Sequence, residues 1–296
     1  MPRWLIYTVL TMLLWGGWGL VSKPVADRLS PWQAQALSAI GLLPVIGLLA
    51  LSKNLRSGKK SRPGFWLAFA GGIVASLGNV AYYKALAAGG KAAAVTPLTA
   101  LYPVVTIALA MVFLRERLNP VQGVGVSTAL AAMYFFNVGS ESGWLTPWLG
   151  LAFIPIALWG ASALLQKCAT TMASSELATV AFLLGDLPIS LLIPFCMTLN
   201  WSLPGVTWVL VLALGLLFGL GNLTLIFAYG SGGKASVVTP MAGLYSLVTI
   251  PMAVLILGEH VTAREWLGIS FALAAAAALA YEKPPQSSSA TVTERV

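Results

Sequence analysis

The chain alternates long apolar stretches with short polar breaks. Each apolar stretch runs for about 18 to 24 residues, which is long enough for an α-helix to cross the ~30 Å hydrocarbon layer of a membrane. The stretches are continuously apolar, so they predict helices and exclude the alternating strands of a membrane barrel. Ten stretches can be marked off, at residues 4–22, 32–52, 65–88, 93–113, 120–138, 147–168, 175–199, 206–230, 235–257 and 264–281. The pattern predicts an all-α membrane protein with ten transmembrane helices.

Positive charge is distributed unevenly among the polar breaks. Basic residues concentrate between the second and third predicted spans, at Lys53, Arg56, Lys59, Lys60 and Arg62. Short loops rich in Lys and Arg remain in the cytoplasm when a membrane protein inserts. This loop and both chain termini are therefore expected to face the cytoplasm, with the helices in a bacterial inner membrane.

Two segments of the chain are copies of each other. Residues 78–118 align without a gap with residues 221–261, at a spacing of 143 residues. A weaker match precedes each copy: Leu14-Trp15-Gly16 aligns with Leu158-Trp159-Gly160 at a spacing of 144 residues. The chain therefore reads as two homologous halves.

Each half contains five predicted spans, and the odd number has a geometric consequence. A unit with five crossings starts and ends on opposite sides of the membrane, so its second copy enters upside down. We expect a first repeat at residues 1–142, a second at residues 143–283 and a disordered cytoplasmic tail at residues 284–296. Two inverted five-helix repeats are the usual layout of a carrier that opens alternately to its two sides.

Composition supports this picture and excludes several classes of protein. Apolar residues make up 58% of the chain and charged residues only 9%, too few to surround a water-soluble core. The net charge of +8 lies largely in the cytoplasmic loops, and no basic folded surface outside the membrane is expected to bind nucleic acid.

The sequence offers little enzymatic chemistry. The Gly-Gly-Lys steps at 89–91 and 232–234 lack the Ser or Thr that follows the lysine of a phosphate-binding loop. His260 is the single histidine, and Cys168 and Cys196 are isolated thiols within apolar spans. No catalytic set or metal-ligand spacing emerges, so we expect no enzymatic activity, no cofactor and no bound metal.

Asp186 is the most notable polar residue inside a predicted span. A carboxylate in hydrocarbon costs several kcal/mol and must face protein or water. The equivalent position in the first half is Leu42, so the charge is an addition to an apolar framework. Either Asp186 is a structural residue paired with a backbone donor or a buried lysine, or it couples transport to protons or balances a substrate amine.

Lys91 and Lys234 each begin a span directly after a glycine-containing break. A cation at a helix N-terminus opposes the helix dipole, unless an anion visits or the ammonium group reaches away from the helix axis. The inverted repeat places one lysine near each membrane face. They are candidate gate or mouth residues for an anionic group, with contact to lipid headgroups as the alternative.

Other polar and aromatic residues predict a central cavity. Pro97 and Pro240 interrupt the hydrogen bonding of their helices, and such broken helices line the binding sites of many carriers. Deep tryptophans add apolar wall, although helix packing explains any one of them equally well. The candidate substrate-binding residues are Trp15, Trp18, Asn79, Tyr82, Tyr83, Thr96, Tyr102, Trp159, Asn222, Thr239 and Tyr245.

The repeated motifs resemble the EamA-type families of the drug/metabolite transporter superfamily. The resemblance rests on residues 91–103 (KAAAVTPLTALYP) and 234–245 (KASVVTPMAGLY), and on the endings at 114–118 (LRERL) and 257–261 (LGEHV). It covers roughly residues 4 to 281. It implies ten helices in two inverted repeats, a central cavity and transport of small metabolites.

The resemblance leaves the substrate open. Similar proteins export amino acids and their derivatives, whereas others carry sugars, nucleotide sugars, vitamins or amines. The sequence predicts a secondary transporter, most simply an exporter of an amino acid or a derivative, working by alternating access. Alternatives are a carrier of sugars, amines or lipid-like amphiphiles, a membrane protein that handles lipids, and a passive channel.

Overall fold

The computed structural model describes residues 1–113, 119–137 and 147–281, which form helices joined by short loops. No strand occurs within these residues, in agreement with the predicted all-α class. The copied step at residues 114–118 and the predicted tail at residues 284–296 lie outside the described residues. The elements are α1 (Arg3–Ala26), α2 (Pro31–Ser38), a 3₁₀ turn (Ala39–Leu42), α3 (Leu43–Ala50), α4 (Lys53–Ser57), α5 (Arg62–Ala87), α6 (Ala92–Thr99), α7 (Pro103–Phe113), α8 (Pro120–Asn137), α9 (Pro147–Met172), α10 (Ser175–Cys196), α11 (Gly205–Gly230), α12 (Ala235–Gly243), α13 (Ser246–Leu257) and α14 (Ala263–Ala280).

Eight helical segments within the described ranges are long and apolar enough to cross a membrane. They coincide with eight of the predicted spans, and three of them are built from shorter helices. The helices α8 and α14 occupy the two other predicted spans and pack against each other, with Gly125 against Leu279. The count of ten membrane crossings stays a prediction. The eight segments are Arg3–Ala26, Pro31–Ala50, Arg62–Ala87, Ala92–Phe113, Pro147–Met172, Ser175–Cys196, Gly205–Gly230 and Ala235–Leu257.

Several helices begin at a residue that caps them. A Ser or Thr hydroxyl oxygen at the N-cap accepts a backbone N–H of the first turn, which otherwise has no partner. At α14 the cap is reciprocal, because the Glu265 side chain also accepts the backbone N–H of Thr262. The capping residues are Ser30 for α2, Ser61 for α5, Ser174 for α10 and Thr262 for α14.

Two spans are interrupted at equivalent places. Pro97 and Pro240 predict broken helices, and the structure places the interruption a few residues later, where α6 ends at Thr99 and α12 ends at Gly243. The N–H of Tyr102 donates to the carbonyl of Thr99 at 3.1 Å, three residues back instead of four. The helix therefore tightens before it stops, and a second helix begins a few residues later.

The two ends of the bundle are identified by contacts between loops. At the end that we name the basic end, after the 53–62 loop, the N–H of Ser174 donates to the carbonyl of Lys59 at 2.9 Å. At the other end, named the Lys91 end, the Lys91 ammonium group donates to the carbonyl of His260 at 2.7 Å. The helix α11 finishes at the basic end, where Gly230 approaches Ser175.

The two copies of the repeat run in opposite directions through the bundle. The turn after α5 lies at the Lys91 end, and its copy after α11 lies at the basic end. The backbones of the two turns are alike, with φ of 94° at both Gly89 and Gly232. This left-handed conformation is accessible to glycine at little cost, which accounts for the glycine at both places. The inversion predicted from the sequence repeat is thus present in the structure.

Pairs of glycines bring the two halves together. A Cβ atom added to Gly215 on α11 would overlap the carbonyl oxygen of Ser38, and the Cα of Gly41 lies 3.0 Å from the same point. The equivalent contact joins Gly72 on α5 to Gly185 on α10, where an added Cβ on Gly72 would overlap a backbone carbonyl. Such small residues allow helix backbones to approach closely in a membrane. The two halves therefore contact each other at two equivalent helix crossings, which are related by the inversion.

Candidate substrate cavity

A cavity lies between the two halves of the bundle. It contains about 450 Å³ of space free of protein atoms, open solvent included. Four helices, α1, α5, α9 and α11, and the two helix interruptions contribute side chains to its wall. The lining residues are Trp15, Trp18, Ala75, Tyr102, Trp159, Ser162, Ala163, Gln166, Phe218, Asn222, Leu225 and Tyr245.

Two equivalent tryptophans form opposite parts of the wall. Trp15 on α1 packs over Gly221 of α11, and Trp159 on α9 packs over Gly78 of α5. A larger residue at either glycine would occupy the place of the indole ring. Each ring thus reaches the cavity because the facing helix has no side chain at that point.

The helix interruptions bring two tyrosines to these rings. Tyr245, at the start of α13, meets the Trp15 ring edge-on with centroids 5.9 Å apart. Tyr102, just before α7, lies 6.4 Å from both Trp15 and Trp159. Edge-to-face contacts of this length are favourable for aromatic rings. The repeated Leu-Tyr step therefore builds the aromatic centre of the cavity.

Trp18 closes the cavity on the side of the Lys91 end. Its side chain is only 3% exposed and its ring is stacked on Tyr82 at 4.8 Å. The rings of Trp159 and Phe218 lie 5.6 Å and 6.1 Å away. These rings lie on the side of the cavity that faces the Lys91 end, whereas Gln166 and Asn222 lie on the side of the basic end.

Uncharged polar groups are placed among the rings. The Gln166 side-chain NH₂ group donates to Ser162 at 3.3 Å and to Asn222 at 3.5 Å. On the described residues that line the cavity, four buried polar atoms have no hydrogen-bond partner: Nε1 of Trp15, Nε1 of Trp18, Oε1 of Gln166 and the Tyr245 hydroxyl. Of the side chains that line the cavity, none carries a formal charge. The wall therefore offers both donors and an acceptor to a ligand.

The predicted site residues divide into a lining group and a supporting group. The structure places six of the eleven on the cavity wall: Trp15, Trp18, Tyr102, Trp159, Asn222 and Tyr245. The others, Asn79, Tyr82, Tyr83, Thr96 and Thr239, are buried behind it.

The supporting residues hold the wall in place. Asn79 accepts a hydrogen bond from the Trp159 indole N–H at 3.2 Å. The Tyr82 hydroxyl pairs with that of Thr96 at 2.9 Å, and the Tyr229 hydroxyl pairs with that of Thr239 at 2.7 Å. Both repeated Thr-Pro steps therefore anchor a tyrosine, although the two tyrosines are not at equivalent positions in the halves.

Several lining residues are absent from the predicted set, and two of them, Ser162 and Gln166, are polar. Their spacing from Trp159 in the sequence could have identified both. Ser162 and Gln166 follow Trp159 by three and seven residues on α9, so all three share one face of the helix. A long polar side chain in an apolar span, on the face of a deep tryptophan, marks that face as lining a polar site.

The predicted mouth lysines lie at opposite ends of the bundle, as the inversion requires. Lys91 makes a salt bridge of 2.9 Å with Glu265 of α14, so at this end the ammonium group is paired within the protein. Lys234 occupies the equivalent N-cap of α12 at the basic end. Lys84 lies outside the cavity wall, with its ammonium group 4.8 Å from the centre of the Trp32 ring.

Glu259 caps the helix that follows Lys91. Its two carboxylate oxygens each accept a backbone N–H of α6, from Ala92 and Ala93, at 2.8 Å. A carboxylate at a helix N-terminus satisfies free N–H groups and complements the helix dipole. Glu259 therefore connects the end of α13, in the second half, to the start of α6, in the first half.

Replacing Glu259 with Ala is expected to lower the free energy of unfolding by about 1 to 2 kcal/mol. Two N–H groups of α6 lose their acceptor, and Ala cannot replace it. Thermal unfolding of the purified protein in detergent measures the change. Glu259→Gln keeps one acceptor oxygen, so its unfolding temperature is expected to lie between those of the wild type and Glu259→Ala. An unfolding temperature of Glu259→Ala equal to that of the wild type would contradict the proposed role of the cap.

Asp186 lies away from the cavity wall. It is 1% exposed on α10 and accepts a hydrogen bond at 3.0 Å from the side-chain amide of Gln35 on α2. Neither of the structural partners expected for it, a backbone donor or a buried lysine, is found among its hydrogen bonds in the described residues. Its partner is an uncharged side chain.

Comparisons with known proteins agree with this architecture. The model of the EamA-like transporter family matches the chain twice, at residues 2–138 and 146–281. A solved structure whose title reads only "Crystal structure of protein" has a TM-score of 0.64 and 19% identity, and the alignment covers 92% of this chain and 94% of that one. That likeness concerns the fold. No curated protein matches the chain. The two family matches fall on the two inverted halves that enclose the cavity, and the chain belongs to the EamA-like transporter family, as an integral membrane transporter with two EamA repeats.

Proposed function

We propose that this transporter exports an amino acid or a closely related small metabolite by alternating access through the central cavity. The observation that supports the proposal is an aromatic cavity with unpartnered polar atoms, enclosed by two inverted repeats.

The chemistry of the wall favours a small zwitterion. A carboxylate can accept from the Trp15 indole N–H and the Tyr245 hydroxyl, and hydrogen bonds to ionised groups are stronger than neutral ones. An ammonium group can donate to Oε1 of Gln166 and lie over an aromatic face. A ligand with a large net charge would find no counter-charge among the lining side chains. An amino acid meets these requirements within one small molecule.

Alternating access accounts for the arrangement of the two ends. At the Lys91 end, Lys91 makes a salt bridge with Glu265, and Trp18 is stacked on Tyr82. In this proposal these contacts form the closed outer gate. In the proposed topology, the basic end faces the cytoplasm of a bacterial inner membrane, because of the positive 53–62 loop. Lys91 and Lys234 then mark the outer and inner mouths. Opening at the Lys91 end would release substrate outward.

A two-stage experiment tests the proposal. Thermal-shift measurements on the purified protein with amino acids, amines, sugars and nucleotides first identify the compound class that stabilises it. Proteoliposomes preloaded with the best unlabelled amino acid then receive the same amino acid with a radioactive label. A carrier is expected to accumulate label transiently by counterflow. Stabilisation by sugars or nucleotides alone would overturn the substrate class, and activity restricted to lipid-like amphiphiles would indicate lipid handling. Flux without counterflow would indicate a channel.

A further inference from the structure

We infer that Asp186, together with Gln35, Ser76 and Ser190, forms a proton-binding site at the contact between the two halves, and that this site couples transport to protons. The inference rests on the proposed function, since it concerns how the same carrier is driven. The four side chains are between 1% and 4% exposed or fully buried, so the group is isolated from solvent.

The four residues are drawn together around one amide group. The side-chain nitrogen of Gln35 lies 2.9 Å from the Ser76 hydroxyl, 3.0 Å from a carboxylate oxygen of Asp186 and 3.2 Å from the Ser190 hydroxyl. An amide nitrogen has only two hydrogens to share among these three oxygens. The hydroxyls of Ser76 and Ser190 lie within donating distance of backbone carbonyls. Acceptors therefore outnumber donors in this group.

Two buried oxygens remain without a donor. They are Oδ1 of Asp186 and Oε1 of Gln35, and neither has a partner in the described parts of the chain. Buried acceptors normally find a partner, and one that does not needs an explanation. A proton on Oδ1 of Asp186 removes one of these two unmatched acceptors and gives the group one additional donor. A metal ion fits less well, because the Gln35 amide nitrogen occupies the point around which the oxygens gather.

Charged residues stand apart from this group. On α5, which packs against α10, the titratable side chains of the last turns include the buried phenols of Tyr82 and Tyr83, and Arg62 stands at the start of the helix, in the basic loop. Lys84 of α5 is directed to Trp32, and Glu176 lies in the first turn of α10, bonded to Asn54. Lys53 and Arg56 of α4 and Lys167 of α9 lie towards the basic end, and α2, α3, the 3₁₀ turn and α11 contribute no charged side chain. Asp186 thus exchanges a proton without a neighbouring cation that would fix its charge.

The site joins the first half to the second. Gln35 on α2 and Ser76 on α5 belong to one repeat, and Asp186 and Ser190 on α10 belong to the other. The crossing of Gly72 with Gly185 lies directly beside it, and the residue before Ser76 lines the cavity. Binding or release of a proton changes the donors that hold α2 to α10. Protonation is thereby connected to the contact that must move when a carrier of this kind changes its open side.

The inverted equivalent of the site has no carboxyl group, which sets an expected stoichiometry. At the equivalent positions of the two halves stand Leu42 for Asp186, Thr179 for Gln35, Gly219 for Ser76 and Ile46 for Ser190. Leu42 is buried, and an added Cβ on Gly219 would contact it. One proton site per transporter is therefore expected, and one proton moved per substrate.

Asp186→Asn tests the inference, because Asn keeps the shape of the side chain and cannot bind a proton. Proteoliposomes containing the pH-sensitive dye pyranine report proton movement when the amino acid identified by counterflow is added. The wild type is expected to move one proton per substrate. Asp186→Asn is expected to retain counterflow and to lose proton movement and accumulation driven by a pH gradient. Glu176→Gln, the same change on a buried carboxyl of the same helix, is the matched control and is expected to behave as the wild type.

The outcomes separate this inference from the proposed function. Absence of counterflow with every compound counts against the proposed function, whereas counterflow without proton movement in the wild type overturns only the proton site. Equal proton movement in the wild type and Asp186→Asn, or dependence on sodium instead of protons, also overturns it.

If Asp186→Asn does not fold, the wild-type proton measurement and Asp186→Glu decide, since Asp186→Glu retains a carboxyl and is expected to keep proton movement. Infrared spectra recorded across a pH change provide a readout without transport: a protonated-carboxyl band lost in Asp186→Asn and kept in Glu176→Gln is expected.

Discussion

Alanine at Gly215 or at Gly72 is expected to destabilise the protein by about 3 kcal/mol or more, the upper part of the range for overpacked positions. The added methyl group would overlap the carbonyl oxygen of Ser38 in the first case and that of Phe182 in the second. Both obstacles are backbone atoms, which cannot rotate away as a side chain can. The gain in helix propensity from Gly to Ala, about 1 kcal/mol, is too small to offset the overlap.

Thermal unfolding in detergent micelles measures this effect, and the chain provides matched controls. Gly47 and Gly123 also lie within helices, but an added Cβ would meet no atom within 4 Å at either position. Gly47→Ala and Gly123→Ala are expected to leave the unfolding temperature unchanged or to raise it, by up to about 1 kcal/mol in stability. An unfolding temperature of Gly215→Ala equal to that of the wild type would show that the halves do not meet at this crossing.

Replacing Trp15 with Phe is expected to weaken binding of the transported amino acid by about tenfold to a hundredfold. Phe keeps an aromatic ring over Gly221 and removes the indole N–H, which has no hydrogen-bond partner within the described part of the chain. Loss of a hydrogen bond to a charged group costs about 1.5 to 3 kcal/mol, and each 1.4 kcal/mol is a factor of about ten in affinity. The affinity is measured from the ligand dependence of the unfolding temperature.

Trp208→Phe is the control for this change. Trp208 stacks on Trp201, with ring centroids 6.3 Å apart, and neither residue lines the cavity. The substitution is expected to leave affinity unchanged. If Trp15→Phe also binds with wild-type affinity, the indole N–H makes no contact with the substrate, and the proposed carboxylate subsite is wrong.

The membrane-spanning helices and their inverted repeat could be predicted from the sequence because they depend on local patterns. Continuous apolar stretches predict spans, and a copied segment with an odd number of spans predicts inversion. The same reasoning found Trp15 and Trp159, because both appear in the copied segments at matching depth. It also found Tyr102 and Tyr245, whose Leu-Tyr step is repeated.

What sequence reasoning missed depends on contacts between distant residues. Lys91 looked like an exposed cation at a helix start, and its partner Glu265 lies 174 residues further along the chain. Thr96 was placed in the cavity because of its polarity, whereas its hydroxyl is already paired with Tyr82. The Asp186 group was equally hidden, since Gln35 and Asp186 are 151 residues apart. Polarity and depth identify a buried polar residue, and only the packing of helices decides what it faces.

The paired glycine crossings also bear on the origin of the chain. Gly41 meets Gly215, and the equivalent residues Gly185 and Gly72 meet in the same way. A separate polypeptide consisting of one repeat would carry both surfaces, so two identical copies in opposite orientations could close both contacts about a true two-fold axis. The present chain has the layout of such an antiparallel homodimer fused into one gene product. Fusion frees each half to change by itself, and the polar group around Asp186 is a feature that two identical subunits could only have carried twice.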